Sequence, residues 1–355
     1  MPRPLLVTSD PDALDALLRL AAMASVEADV AADAGDARRL WDAAPLVVVA
    51  DDALDALALV GPPRRDGVIV LGRDLDDAGV WHRAVEVGAQ RVVFLPDAER
   101  WLVDTLADAA EGRAGQGALI ALVGGRGGAG TTTLACALAQ TAGRRGVETL
   151  LVDADPLGGG LDVVFLAEDQ PGLRWPDLAS SRGRVPAGAL GRALPRLADL
   201  ALLSWDRSST EQVPLDAARA VLAAARRSHE LVVVDVPRHL DEVGREVLAT
   251  ATTTLLVVPA EIRAVAGAAR VAAHATALCR DVRLVVRGPG PAGLTALEVQ
   301  RNLGVPLAGE LRTEPGLARA AEEGRPPGDR RGSRLVSLCQ SLLDDLLVPR
   351  LERAA

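Results

Sequence analysis

The stretch Gly124–Thr133 reads Gly-Gly-Arg-Gly-Gly-Ala-Gly-Thr-Thr-Thr, a phosphate-binding loop that lacks its lysine. The pattern G-x-x-x-x-G-K-[ST] falls on it with Gly125 and Gly130 at the glycine positions and Thr132 at the Mg²⁺-ligand position. Thr131 stands where the lysine belongs. No other register restores it, because all 39 basic residues of the 355-residue chain are arginine. Backbone N–H groups of such a loop still point at a phosphate. The ammonium that normally bridges the β- and γ-phosphates during transfer is gone. The candidate nucleotide contacts are therefore Gly125, Arg126, Gly127, Gly128, Ala129, Gly130, Thr131, Thr132 and Thr133. The loop predicts a nucleotide-switch fold with weak or absent catalysis.

A glycine-rich stretch alone marks only a turn, so its flanks matter. Ala118–Val123 is an apolar run ending in the glycines, and Thr131–Ala142 follows with helix-forming Ala and Leu. Strand, loop and helix is the order a phosphate loop needs. Further aliphatic runs follow: Thr149–Val152 before Asp153-Ala154-Asp155-Pro156, Leu231–Val234 before Asp235-Val236-Pro237, Leu255–Val258, and Val282–Val286 before Arg287-Gly288. These runs are continuous rather than alternating, as parallel strands buried on both faces require. Asp235 occupies the place of a Walker B carboxylate, which holds Mg²⁺ or its water.

Residues 1–112 read as a separate α/β domain. Strand-like runs lie at Leu5–Thr8, Val26–Val30, Leu46–Ala50, Gly67–Leu71 and Arg91–Leu95, with a helix over Asp12–Ala22 opening after Ser9-Asp10-Pro11. Five β/α units predict the flavodoxin-like order of response-regulator receivers. Asp10 and Asp51 end the first and third strands, where a receiver keeps its Mg²⁺ acid and its phosphoacceptor. Gly72 replaces the Ser/Thr after strand four, and Leu95 replaces the lysine before Pro96. Asp51 is therefore expected to be a solvated strand-end carboxylate in a pseudo-receiver. Residues 113–117 read as a glycine-rich linker, and residues 118–355 as the P-loop domain with a mostly parallel sheet.

The loop, Asp153 and Asp235 together resemble the MinD/ParA family of deviant Walker A ATPases. That resemblance puts the family's signature lysine at Arg126 and its usual lysine at Thr131. It implies that Asp153 positions the attacking water, that Thr132 and Asp235 serve Mg²⁺, and that Arg126 reaches across a nucleotide-sandwiched homodimer. The segments 153–162, 172–178 and 203–207 narrow the likeness to the actinobacterial CpaE/TadZ-like branch. The branch implies a cytoplasmic localisation factor for septum, pilus or type II/IV secretion machinery, recruited to the pole, the septum or the inner face of the membrane. With Thr131 in the loop, binding of ATP and Mg²⁺ is expected to be weak or lost and ATPase activity very weak or absent. The alternative is a weakly active ATPase whose dimer switch uses Arg126.

Composition narrows the partners. The net charge of −9 gives no electrostatic case for nucleic acid or anionic lipid. Cores must be built from Leu, Val and Ala, since only 2% of the chain is aromatic. Cys136, Cys279 and Cys339 and the four histidines show no metal spacing. The stripe Leu335, Leu338, Cys339, Leu342, Leu343, Leu346, Leu347 predicts an amphipathic helix over 333–347. Its polar face carries Asp344 and Asp345 rather than arginine, so membrane association is at most peripheral, and packing against the domain's own sheet or against a partner is expected. Trp175 and Trp205 are read as core filling, with surface anchoring of a partner as the alternative.

Overall fold

In a computed structural model of the protein the described residues are 3–77, 79–110, 117–181, 184–207 and 213–354, the last seven as helical backbone alone. The chain divides into two compact units, Met1–Gly115 and Gln116–Ala355. The linker expected at 113–117 lies outside the described residues except for Gly117.

The first unit is a five-stranded parallel sheet of β1 (Leu5–Val7), β2 (Asp29–Ala31), β3 (Val47–Ala50), β4 (Val68–Gly72) and β5 (Arg91–Phe94). Their order is β2-β1-β3-β4-β5, the flavodoxin-like arrangement. Alternate strand residues feed two cores. Leu6, Val48 and Ile69 meet Leu17, Leu20, Leu102 and Leu106 of the helices Pro11–Met23 and Glu99–Ala110. Leu5, Val49 and Val70 meet Trp41, Leu54, Leu57 and Val80 on the other face. The second strand begins at Asp29, three residues later than its apolar run suggests. Ser25 turns the chain with a positive φ of 56°, and pairing with β1 starts at Leu5 opposite Asp29.

The second unit is an eight-stranded sheet. It comprises β6 (Ala118–Gly124), β7 (Thr149–Asp153), β8 (Arg196–Leu197), β9 (Leu200–Leu203), β10 (Leu231–Val236), β11 (Thr253–Pro259), β12 (Val282–Gly288) and β13 (Leu307–Arg312). The order is β13-β12-β11-β6-β10-β7-β9-β8, parallel except for the β8–β9 hairpin. Strand β6 lies centrally, flanked by β10 and β11. Its carboxyl end is the place where open α/β sheets bind ligands.

Helices cover both faces. On one, Leu134, Cys136 and Leu138 of Thr131–Arg144 pack with Leu335, Cys339, Leu342, Leu343 and Leu346 of Arg334–Ala354 against Ile120, Leu122 and Val233. The terminal apolar stripe is thus buried in its own domain. At the start of that helix Ser333 Oγ accepts from Val336 N at 3.2 Å. On the other face, Leu215–Ser228, Glu242–Thr250 and Ile262–Leu278 bury Val221, Val247 and Ala268 against Leu119, Val123 and Val234. All three cysteines are buried, and burial pushes the Cys339 thiol up to about 12. Among the described residues no helix is long and apolar enough to cross a membrane.

Candidate functional site

The loop leaves β6 at Gly124 and enters the helix Thr131–Arg144 through Gly130, whose φ of +96° is one that L side chains rarely adopt. Close packing fixes its start. A Cβ on Gly125 would stand 2.7 Å from Ala268 Cβ, and Gly125 N donates to Val257 O at 2.9 Å. Gly127 and Gly128 face open space. Among the described residues, none accepts a hydrogen bond from the backbone N–H groups of residues 126–133. These residues line a cavity of about 460 Å³ together with Asp155, Asp235, Arg238 and Arg287. Orphan donors at a helix N-terminus favour a polyanion.

Thr132 and Asp235 meet at this cavity, with Thr132 Oγ1 donating to Asp235 Oδ2 at 2.6 Å. Burial pushes the Asp235 carboxyl up to about 6, against the stabilising bond from Thr132. Asp153 stands beside it in register on β7. Burial pushes the Asp153 carboxyl up to about 7, with the neighbouring Asp235 charge adding to the rise.

Asp153 is not among the residues that line the cavity. Its Oδ1 accepts from Asp155 N at 3.0 Å and its Oδ2 from Leu161 N at 3.1 Å, so its carboxylate closes the turn that follows β7. The carboxylate of this segment that lines the cavity is Asp155. Asp153, Asp235, Thr132 and the loop are thus neighbours, but Asp153 is spent on its own backbone.

That turn is braced by residues the sequence did not single out for this role. The indole N–H groups of Trp175 and Trp205 both donate to the Asp153 carbonyl, at 2.6 and 3.1 Å, with their rings 5.9 Å apart. Buried Ser204 accepts from Leu161 N at 3.0 Å. Asp162, 1% exposed, is paired by Arg207 at 3.3 Å and Arg174 at 3.8 Å. The sequence marked these residues only as parts of the segments 153–162, 172–178 and 203–207, without showing the brace.

Three guanidinium groups line the cavity. Arg126 is held within its own chain by Glu261, Nη2 to Oε1 at 2.8 Å. Arg287, at the end of β12, donates from Nη1 to Gly128 O at 2.7 Å. Arg238 follows β10 on an exposed side chain.

In the first unit, Asp51 is not the solvated carboxylate expected. Arg73 Nε donates to Asp51 Oδ1 at 2.7 Å, and its Nη1 pairs with Asp10. The side chains of Asp51 and Asp10 are only 14% and 19% exposed. Asp51 above all, and then Asp10 and Asp52, hold the Arg73 guanidinium above its usual value. Gly72 is fixed by Phe94: a Cβ there would stand 2.4 Å from Phe94 Cε1.

The fold agrees with that of similar proteins. The model of the CobQ/CobB/MinD/ParA nucleotide-binding domain matches residues 120–327, more than half of the chain. The chain belongs to the MinD/ParA nucleotide-binding family. Residues 7–117 match the Rv3660c-like, CheY-like N-terminal domain. Protein Rv3660c of Mycobacterium tuberculosis (strain H37Rv) is 41% identical over 322 residues, covering 89% of this chain and 90% of that protein. Among solved structures, a ParA family ATPase from Chlorobium tepidum superposes with a TM-score of 0.58 at 15% identity, covering 64% of this chain and 98% of its own. The septum site-determining protein MinD of Pyrococcus horikoshii, solved with Mg-ADP, gives 0.55 at 20% identity, covering 66% and 97%. At these identities the two structures establish the family fold for the second unit.

Proposed function

We propose that this chain is a localisation and assembly factor of the CpaE/TadZ branch, serving septum placement or a Tad pilus or secretion apparatus, with a loop that holds ATP and Mg²⁺ and hydrolyses ATP very slowly. The observation that carries the reading is the run of unsatisfied N–H donors at 126–133, beside the Thr132–Asp235 pair, in a loop without lysine. The donors suit a triphosphate, and a hydroxyl with a carboxylate suits Mg²⁺. The fit is to the group's charge and its oxygen ligands.

In this reading residues 126–133 hold the phosphates and Thr132 and Asp235 hold the metal. Bound Mg²⁺ supplies neutralisation of charge on the β- and γ-phosphate oxygens. Asp155, which lines the cavity, takes the water-positioning role, and Asp153 fixes the turn that carries it. Hydrolysis is slow because Thr131 puts no charge on the transferring group. Partners are a second copy of the chain and proteins of the septum or secretion machinery, whose related MinD is a septum site-determining protein. The acidic net charge of −9 supports protein rather than nucleic-acid partners.

A second reading, a weakly active ATPase whose dimer switch uses Arg126, is favoured by one observation. Arg126 lines the cavity with its side chain 41% exposed, and its Nε has no partner among the described residues. Light scattering coupled to size exclusion separates the readings, using wild type and Arg126→Ala with and without ATP and Mg²⁺. A nucleotide-dependent dimer lost in Arg126→Ala supports the switch. A dimer indifferent to both supports a scaffold that keeps its loop for binding alone.

A further inference from the structure

The loop has lost its lysine, yet the cavity it borders is not without positive charge. Arg126 is neutralised by Glu261 at 2.8 Å. Arg287 is different. Among the described residues its guanidinium takes part in no ion pair, and its one partner is a neutral carbonyl, Gly128 O at 2.7 Å. A guanidinium carries five N–H donors in a planar fork, so most remain for a ligand.

The position of this side chain is set by the sheet. Arg287 pairs in register with Pro259 on β11 and Leu311 on β13, two strands from the loop's own β6. Its stem lies against the loop. A Cβ on Gly130 would stand 3.8 Å from Arg287 Cδ and 3.9 Å from its Nη1. Gly130 immediately precedes Thr131, the position without its lysine. An uncompensated guanidinium therefore spans the loop from Gly128 to the residue beside the missing ammonium.

Resting on the nucleotide-binding reading above, we infer that Arg287 supplies from β12 the positive charge that Thr131 does not, contacting the phosphate chain of the bound nucleotide. The fork makes charge-assisted bonds to phosphate oxygens. It approaches from the side of the loop carbonyls rather than from within the loop. The charge thus favours holding the nucleotide, in a chain that contains no lysine.

The test is calorimetric titration of Mg·ATP and, separately, of inorganic tripolyphosphate into full-length protein. The proteins are wild type, Arg287→Gln, Arg287→Ala and Arg287→Ala with Thr131→Lys. Arg287→Gln keeps a polar side chain but removes the charge and the reach to Gly128 O. Melting curves without ligand confirm that each protein is folded. The expected result is about tenfold or greater weakening of both ligands in Arg287→Gln and Arg287→Ala, with most affinity regained when Thr131→Lys is added. Wild-type binding that Arg287→Gln leaves unchanged overturns the inference and spares the nucleotide reading. Weakening of ATP but not of tripolyphosphate also overturns it, because the arginine then serves the base. Wild-type protein that binds neither ligand overturns both.

Discussion

Asp153 and Asp235 stand opposite each other on the adjacent parallel strands β7 and β10, both buried, yet only Asp235 faces the loop cavity. Asp235 is held by the Thr132 hydroxyl at 2.6 Å, whereas Asp153 is held by the amides of Asp155 and Leu161. Two carboxylates in one buried place resist ionising together. Burial and this proximity make ionising the pair costly to the fold.

That cost has a pH signature. Both carboxyls have folded values raised above the ordinary 3.8, to about 7 and about 6. A raised carboxyl contributes stability that is fully present below its unfolded value and lost as the pH rises through its folded value. The ligand-free protein should therefore lose stability from this pair between about pH 4 and pH 7. Asp235→Asn keeps an acceptor for Thr132 and removes one charge. Urea unfolding of the ligand-free protein should show the variant more stable at pH 8, by on the order of 1–3 kcal/mol, and matched to wild type near pH 4. Equal stability at both pH values would contradict the pairing.

The indole brace makes a separate prediction. Trp175 is 1% exposed and gives the shorter of the two bonds to the Asp153 carbonyl. Trp175→Phe should cost roughly 1–3 kcal/mol of stability through lost packing and one lost hydrogen bond. Trp205→Phe, with a longer bond and a partly exposed ring, should cost under about 1 kcal/mol. Chemical denaturation of both variants checks the order, and a reversed order would remove the brace from the account.

Much of this architecture was legible in the chain. Buried parallel strands are continuous aliphatic runs, so β6, β7, β10, β11 and β12 could be read directly. Strand β13 could not: Leu-Ala-Gly-Glu-Leu-Arg lies at a sheet edge with one buried residue, and its sequence carries little apolar signal. The β8–β9 hairpin lies just ahead of the motif at 203–207 and was not read from the sequence. That Asp155 rather than Asp153 lines the cavity was not legible either. Asp153 and Asp155 share a side of an extended chain, and only the turn to Leu161 decides which one is spent on backbone. Arg287 meets the loop through strand order, which no local pattern specifies.

In the first unit, Gly72 and Phe94 compete for one space. Gly72→Thr, the residue class a receiver carries there, should destabilise by roughly 1–3 kcal/mol through overpacking against the ring. Adding Phe94→Ala should cost less than the sum of the two single changes. Thermal melts of the three variants measure this, and strict additivity would mean that the ring is not the obstacle.

Arg73 closes the acidic end of the same unit by pairing with Asp51 and Asp10. Asp51 should therefore take up no phosphoryl group from acetyl phosphate with Mg²⁺, as read by intact mass. A stoichiometric adduct that disappears in Asp51→Ala would show a working receiver.

In the proposed function the loop holds nucleotide with little power to cleave it. The most direct measurement pairs calorimetric titration of Mg·ATP with phosphate release from the same preparation, for wild type and Thr131→Lys. The prediction is saturable binding by the wild type with scarcely measurable turnover, and tighter binding once a lysine stands at 131. No binding by the wild type, or rapid turnover that Thr131→Lys leaves unchanged, would contradict it.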